Sequence, residues 1–315
     1  MHQEVIMRRF RFLFLVFALV LGWTGSLAAS GQADAVSSSS SHKKSSKSLV
    51  VRDFHGREIQ LDEPAQRVVA LSPVITETVF ALEQGNSLVG KTEYCDYPPE
   101  AQGITTIGSL REPDIEAIAA LEPDLVVASA HFSEEHLKQL EALGITVAVL
   151  MAPDSLRGGQ EAVIRPLATL LGAEDEAKDL ILQLNQQIDA ELEKVKSFQF
   201  QPRVYYVVGF GDGGDWTAGG DTFIGEMIEL AGGENIAQDT EGWSFSLEAL
   251  VARDPDVIFI PSWADGVFQN SPVYSDLRAV QSGNVFVVDE NTIVRQGPRI
   301  GEGLASLVSI VAQMQ

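Results

Sequence analysis

A chain of 315 residues with 45% apolar content can bury about two cores, and a net charge of −22 excludes the basic face that nucleic acid or anionic lipid would need. Six of the 22 basic and two of the 44 acidic residues precede Leu49, so the remainder carries 16 against 42 and suits docking onto a basic partner. The only cysteine, Cys95, leaves no intrachain disulfide and no thiol near the N-terminus to lipidate.

In chain order, Arg8, Arg9 and Arg11 precede an apolar run over 12–21, followed by small residues with cleavage options after Ala28, Ala29 or Ala35. That is the order of a secretory signal, assigned to 1–35, and the run falls short of the ~20 residues of a membrane span. The Ser- and Lys-rich stretch 36–48 cannot bury enough apolar surface to order itself and reads as a tether. The mature protein is therefore expected in the periplasm and not as a lipoprotein. Residues 51–61 read as a hairpin turning at His55 and Gly56. A strand over 67–73, a helix over 74–84, a strand over 88–92, the Pro-rich loop YCDYPPEA, a helix over 134–143 and a strand over 145–150 follow. Such alternation predicts a parallel sheet with helices on both faces. Over 174–197, Ala177, Leu180, Ile181, Leu184, Ile188, Leu192 and Val195 form one apolar stripe at helical spacing, enough for a stiff strut of about 35 Å. The second half repeats the order: a strand over 203–210, a helix over 222–230 closed by Gly232 and Gly233, a strand over 285–289 and a terminal helix from about Gly301.

One stretch occurs twice. DIEAIAALEPDLVV, starting at Asp114, returns 132 residues later as SLEALVARDPDVIF, starting at Ser246. Each copy offers an N-cap candidate, a Glu in the first turn (Glu116, Glu248), a short apolar helix, a breaking Pro and an apolar strand. Two similar lobes on one topology, with a cleft between them, are the economical reading. The expected organisation is an N-terminal α/β lobe over 49–173, an interlobe helix over 174–198 and a C-terminal α/β lobe over 199–315.

Candidate chemistry is sparse. GFGDGG at 209–214 satisfies G-x-G-x-x-G after a strand, but Asp212 and Asp215 put negative charge where a pyrophosphate would sit and no helix starts inside the loop. A loop that lets Trp216 reach the cleft is the better reading. His131 and His136 are five apart, roughly 140° around a helix, so they do not share a metal ion. No nucleophile with a neighbouring base is visible. Tyr94, Tyr97, Trp216, Trp243 and Trp263 all fall in loops near strand ends, where open α/β sheets bind ligands. Arg295 and Arg299 follow the last strand and either meet anionic or amide groups of a ligand or form salt bridges. A single Glu in a first turn is explained by the helix dipole. A matched pair, Glu116 and Glu248, fits docking.

These motifs, with RVVALSPVITETVFAL, YCDYPPEA, TFIGEMIELAGGENI and VRQGPRI in order, resemble periplasmic substrate-binding proteins with two Rossmann-like lobes joined by one long helix. The resemblance runs from about Val50 to the C-terminus. Such proteins serve ABC importers of cobalamin, ferric siderophores and haem, so the resemblance implies an α/β fold, a ligand cleft between the lobes and no catalysis. It also implies that Glu116 and Glu248 pair with arginines of a dimeric permease. Within the family the chain is most similar to cobalamin binders, which places ligand contacts on Tyr94, Trp216, Trp243 and Arg295, with Phe210, Leu110 and Asn291 completing the set. Leu110 and Ser129 stand where some cobalamin binders carry tryptophan, and Asn291 where they carry an acid. The implied ligand is a cobalt corrinoid, or else haem or a ferric siderophore, carried by a monomer that holds no cofactor or metal of its own. A two-lobed chelatase is the competing enzymatic reading, and the lack of a His or Cys set weighs against it.

Overall fold

The structure, a computed structural model, describes residues 48–211 and 213–315; the expected signal and the tether up to residue 47 lie outside the described residues. The hairpin forms as β1 (Leu49–Arg52) and β2 (Glu58–Leu61), antiparallel. It docks on the first sheet where Phe54 N donates to the Val149 carbonyl at 2.8 Å. Next come β3 (Val68–Ala70), α1 (Pro73–Ala81), β4 (Leu88–Lys91), β5 (Thr105–Thr106), α2 (Ile115–Ala120), β6 (Leu125–Ser129), α3 (Glu134–Ala142) and β7 (Val147–Leu150). Their strands form one parallel sheet in the order β5-β4-β3-β6-β7. After α4 (Leu156–Leu171) and α5 (Glu174–Val195), the chain enters β8 (Arg203–Tyr206), β9 (Asp215–Trp216), α6 (Phe223–Leu230), β10 (Glu234–Asn235), β11 (Ser244–Phe245), α7 (Leu247–Arg253) and β12 (Val257–Pro261). It closes with α8 (Val267–Asn270), α9 (Arg278–Gln281), β13 (Val285–Val288), α10 (Glu290–Val294) and α11 (Ile300–Ala312). A second parallel sheet runs β10-β8-β12-β13, and β9 and β11 make a separate antiparallel pair.

The repeat explains the matching topology. Helices α2 and α7 are capped alike, Asp114 accepting from Ala117 N at 2.9 Å and Ser246 from Ala249 N at 3.1 Å. The shared Pro-Asp step then anchors each repeat strand to the strand beside it. Asp124 accepts from the Gln66 and Arg67 amides at 2.8 and 3.0 Å, and Asp256 accepts from the Arg203 amide at 2.8 Å.

Side chains alternate across each sheet, so each has two buried faces. In the first, Val68, Ala70 and Val127 pack with α1 and α4, while Val69, Leu71 and Val126 pack with α2 and α3. In the second, Val204, Tyr206, Val257 and Phe259 face α6 and α11, and Tyr205, Ile258 and Ile260 face α7. Helix α5, 22 residues and about 33 Å long, serves both: Ala177, Ile181 and Leu184 enter the first core, and Ile188 with Leu192 and Val195 enters the second. It stops at Val195, short of the expected boundary.

Two elements depart from the sequence reading. Helix α4 has 16 residues yet escaped notice, because Gly158, Gly159 and Pro166 lower its helical propensity. Gly159 packs close to the second half: a Cβ there would sit 2.5 Å from the Gln296 side-chain nitrogen and 3.1 Å from the Pro153 carbonyl oxygen. Strand β8 ends at Tyr206 rather than Phe210, because the chain leaves the sheet to pair with Trp216. Val208 N donates to the Trp216 carbonyl, and Trp216 N to the Gly209 carbonyl, each at 2.9 Å.

Candidate ligand-binding cleft

The candidate ligand residues sit beyond the carboxyl ends of the parallel strands, where open sheets leave their crevice. In the first half, the exits of β3, β6 and β7, at 72–75, 129–131 and 150–152, line a cavity of about 220 Å³. Val294 and Gln296 from the second half complete its wall, so the cavity straddles the seam. Gln296 fixes that seam by donating to the Pro153 carbonyl at 2.8 Å.

The second half supplies rings. The Gly-rich loop folds back as a hairpin in which Gly211 (φ +107°) and Gly214 (φ +101°) take backbone conformations that side chains disfavour. This turn delivers β9 and with it Trp216. Strand β11 lies alongside, Ser244 pairing with Trp216, and Thr217 N donates at 2.8 Å to the carbonyl of Trp243, the residue before β11, so the two tryptophans belong to opposite faces of the ribbon's pleat. They remain 44% and 37% exposed, which suits rings awaiting a partner. The loop thus leads to a strand and not to a helix N-terminus, and α6 begins only at Phe223. Phe210 stacks flat on Trp263, with centroids 5.7 Å apart and 7° between planes, and meets Phe268 and Tyr274 edge-on. Trp263 is 55% exposed and rests on this packed base.

Arg295 and Arg299 are committed to ion pairs. Arg295 donates through Nη1 to Glu77 Oε1 at 2.7 Å and to Asp96 Oδ1 at 2.9 Å, and through Nη2 to the Tyr94 carbonyl at 3.4 Å. Arg299 makes two 2.9 Å bonds to Glu77 and lies 4.0 Å from the centre of the Tyr97 ring. Both arginines belong to the second half and both carboxylates to the first. The salt-bridge alternative therefore holds, in a buried place rather than at the surface: the Glu77 side chain is 1% exposed and each guanidinium side chain 11%. Burial pulls the Asp96 carboxyl up, but its hydrogen bond from Arg295 and the charges of Arg295 and Arg299 prevail and hold it below the usual range. Burial also lowers Arg295, and its bonds to Asp96 and Glu77 raise it further still.

The Tyr94 backbone carbonyl meets Arg295 across the halves, while Trp216 and Trp243 flank one ribbon of the second half. Tyr94 is 63% exposed. Leu110 is half-buried and packs on the core beside α2, and Asn291 is half-buried near the start of α10, its amide donating to Asp289 at 3.0 Å. Glu116 and Glu248 are exposed in the first turns of α2 and α7, with no ion-pair partner among the described residues. Behind Trp216, burial raises the Asp215 carboxyl; the 2.7 Å bond from Tyr274 opposes this and the charge of Glu248 adds to it. Cys95 is buried, its sulfur 3.1 Å from the Thr92 hydroxyl.

Sequence reasoning missed Glu77, whose signal was an acid amid the apolar run ITETVF: a buried carboxylate needs a charged partner. It also missed that His131 lines the seam cavity. His136 is taken by the cap of α3, its Nδ1 2.9 Å from the Ser133 hydroxyl. Among the described residues no group of three or more His, Cys, Asp or Glu gathers to hold a metal ion, and no helix is long and apolar enough to cross a membrane.

Comparison with known proteins agrees with this architecture. The family described as periplasmic binding protein matches residues 68–292. A cobalamin-binding protein of Halobacterium salinarum is 32% identical over 271 residues, 82% of this chain and 72% of that protein. Among solved structures, the periplasmic heme-binding protein RhuT from Roseiflexus sp. RS-1, in apo form, superimposes with a TM-score of 0.71 at 29% identity, covering 78% of this chain and 97% of that one. The periplasmic vitamin B12 binding protein BtuF of Vibrio cholerae does so at 0.67 and 26% identity, covering 80% and 99%. With two parallel-sheet lobes joined by a long helix, a cleft at the strand ends and a family match over most of its length, the chain belongs to the periplasmic binding proteins, solute-binding components of transport rather than enzymes.

Proposed function

We propose that this protein captures cobalamin or a related corrinoid between its halves, taken as 49–173 and 199–315 about the helix region 174–198, and delivers it to an ABC permease dimer. The observation that carries the proposal is the exposure of Trp216, in the ribbon β9–β11, and of Trp243, the residue before β11, on the half that also exposes Trp263. Flat rings with few charges suit a large planar ligand. The cobalamin-binding relative from Halobacterium and the vitamin B12 binding protein from Vibrio point the same way. The cavity of about 220 Å³ is smaller than the ~300–1,000 Å³ that encloses drug-sized ligands. A macrocycle therefore enters by parting the halves, and the Glu77 cluster yields as it does so. Arg295, once freed from Asp96, orients amide or carboxylate groups of the guest. Glu116 and Glu248 meet basic sockets on the permease, and the protein works as a soluble periplasmic monomer without a lipid anchor.

Haem is the second reading, favoured by the imidazole of His131 in the cavity wall and by the heme-binding RhuT. Calorimetric titration against cyanocobalamin, haemin and a panel of hydroxamate and catecholate siderophores decides. One-to-one binding of cyanocobalamin is the expected result, and preference for a siderophore overturns the proposal.

A further inference from the structure

Trp216 stands on a strand of only two residues, so its direction depends on what lies behind it. Asp215 and Phe245 are opposite one another in the ribbon and both buried, which turns the next residue, Trp216, outward. The Asp215 carboxylate accepts a 2.7 Å hydrogen bond at Oδ1 from the Tyr274 hydroxyl. That same hydroxyl accepts from the Gly211 amide at 3.2 Å. One oxygen therefore ties both ends of the Gly-rich turn, residues 211 and 215, to the body of the second half. Burial, and then the bond to Asp215, push the hydroxyl up to about 12, so it keeps the proton it donates. The ring of Tyr274 has a separate task. It stacks on Phe268, with centroids 4.5 Å apart and 20° between planes, and meets Phe210 edge-on at 5.5 Å, and Phe210 carries Trp263. Tyr274 itself is only 3% exposed, too deep to meet a ligand.

We propose that Tyr274 is a positioning residue for two of the exposed indoles: its hydroxyl fixes Trp216 and its ring supports Trp263. The proposal rests on the macrocycle-binding reading and deepens it, by naming what holds the second half's rings in place before a guest arrives. Rings already fixed lose less freedom on binding, so more of their contact energy appears as affinity. Losing the hydroxyl leaves a buried carboxylate oxygen and a backbone amide without their partner, and the turn that carries Trp216 loosens. Losing the ring as well removes support from Phe210 and hence from Trp263. The two parts of one side chain can therefore be separated by substitution.

The test uses the whole chain labelled with 5-fluorotryptophan, each indole resonance being assigned by replacing one tryptophan at a time. In the free protein, fluorine NMR should show a changed line width for Trp216 in Tyr274→Phe with that of Trp263 unmoved, and both changed in Tyr274→Leu. Asp215→Ala should reproduce Tyr274→Phe, whereas Asp215→Asn, which keeps an acceptor oxygen, should leave the Trp216 line width as in wild type. Cyanocobalamin and haemin are then titrated separately by calorimetry. The macrocycle that binds wild type should bind Tyr274→Phe about fivefold more weakly. In a Trp216→Ala background the same substitution should cost less than about twofold, because a residue that acts through a ring has no effect once the ring is gone. A fivefold loss that persists without Trp216, or an unaltered Trp216 resonance in both Tyr274→Phe and Asp215→Ala, overturns the positioning role and leaves macrocycle binding standing. Should Tyr274→Leu fail to fold, Tyr274→Phe and Asp215→Ala still read the hydroxyl's bond from its two ends. If neither macrocycle binds wild type, the underlying reading falls and the positioning role falls with it.

Discussion

The ends of β6 and β12 occupy the same place in their sheets, begin from the same Pro-Asp anchor and are separated by 132 residues, yet they lead to different chemistry. Around the first half's strand ends stand carboxylates and an imidazole: Glu77, Asp96 and His131. Around the second half's stand guanidiniums and flat rings: Arg295, Arg299, Phe210, Trp216, Trp243 and Trp263. Scaffold residues that cap, anchor and pack have been kept in both copies, and residues at the rim have not. The difference separates two features: opposite charges from the two halves meet at the seam, and the three tryptophans of one half stay exposed.

Mutation can challenge this division of labour at several points. The strongest response is expected where the halves remain alike. Reversing charge at both Glu116 and Glu248 should abolish uptake in cells while leaving ligand affinity unchanged by calorimetry; a parallel loss of affinity would make these residues structural. Next comes the seam. Removing the buried carboxylate with Glu77→Ala takes from Arg299 its close partner and leaves Arg295 with Asp96 alone, and should cost about 3 kcal/mol in denaturant unfolding. A cost under ~1 kcal/mol, as for an exposed pair, would deny the cluster its clasping role. On the ring side, Trp243→Ala should weaken the guest by at least about 1 kcal/mol. Unchanged affinity would remove that indole from the site.

Acid sensitivity should be the faintest response. Because the folded protein holds Asp96 below its usual range, the stabilisation from its bond to Arg295 is present above that range and is lost as pH falls through the depressed value. The carboxylate is largely exposed, so the contribution is small. The difference in denaturation midpoint between wild type and Asp96→Asn should be measurable at pH 7 and shrink once acid protonates the carboxyl, below the usual carboxylate range. A difference that persists into acid would assign Asp96 a role other than charge.

Much of this was legible in the chain. The repeat gave both sheets their matching order, because helix caps and strand anchors are local and leave local signatures. The stripe over 177–195 gave the strut. Helix α4 stayed hidden because Gly158, Gly159 and Pro166 weaken its local signature; Gly159 packs against Gln296, some 140 residues away in sequence, a contact no local pattern shows. Glu77 and the arginines lie more than 200 residues apart, so no spacing rule links them, although a lone acid in an apolar helix was a visible hint. Tyr94 and Trp216 were marked as rings near strand ends. That Trp216 pairs with Ser244, next to Trp243, depended on a two-residue strand pairing too short to leave a periodic pattern.

Capture between the halves requires a single guest to touch both of them, and hydrogen–deuterium exchange with and without a bound macrocycle reads that out in the unmodified protein. Protection is expected together at the exits of β6 and β7, at 129–131 and 150–152, and across the ribbon of β9 and β11. Protection confined to one half, with the other exchanging as in the free protein, would contradict shared capture.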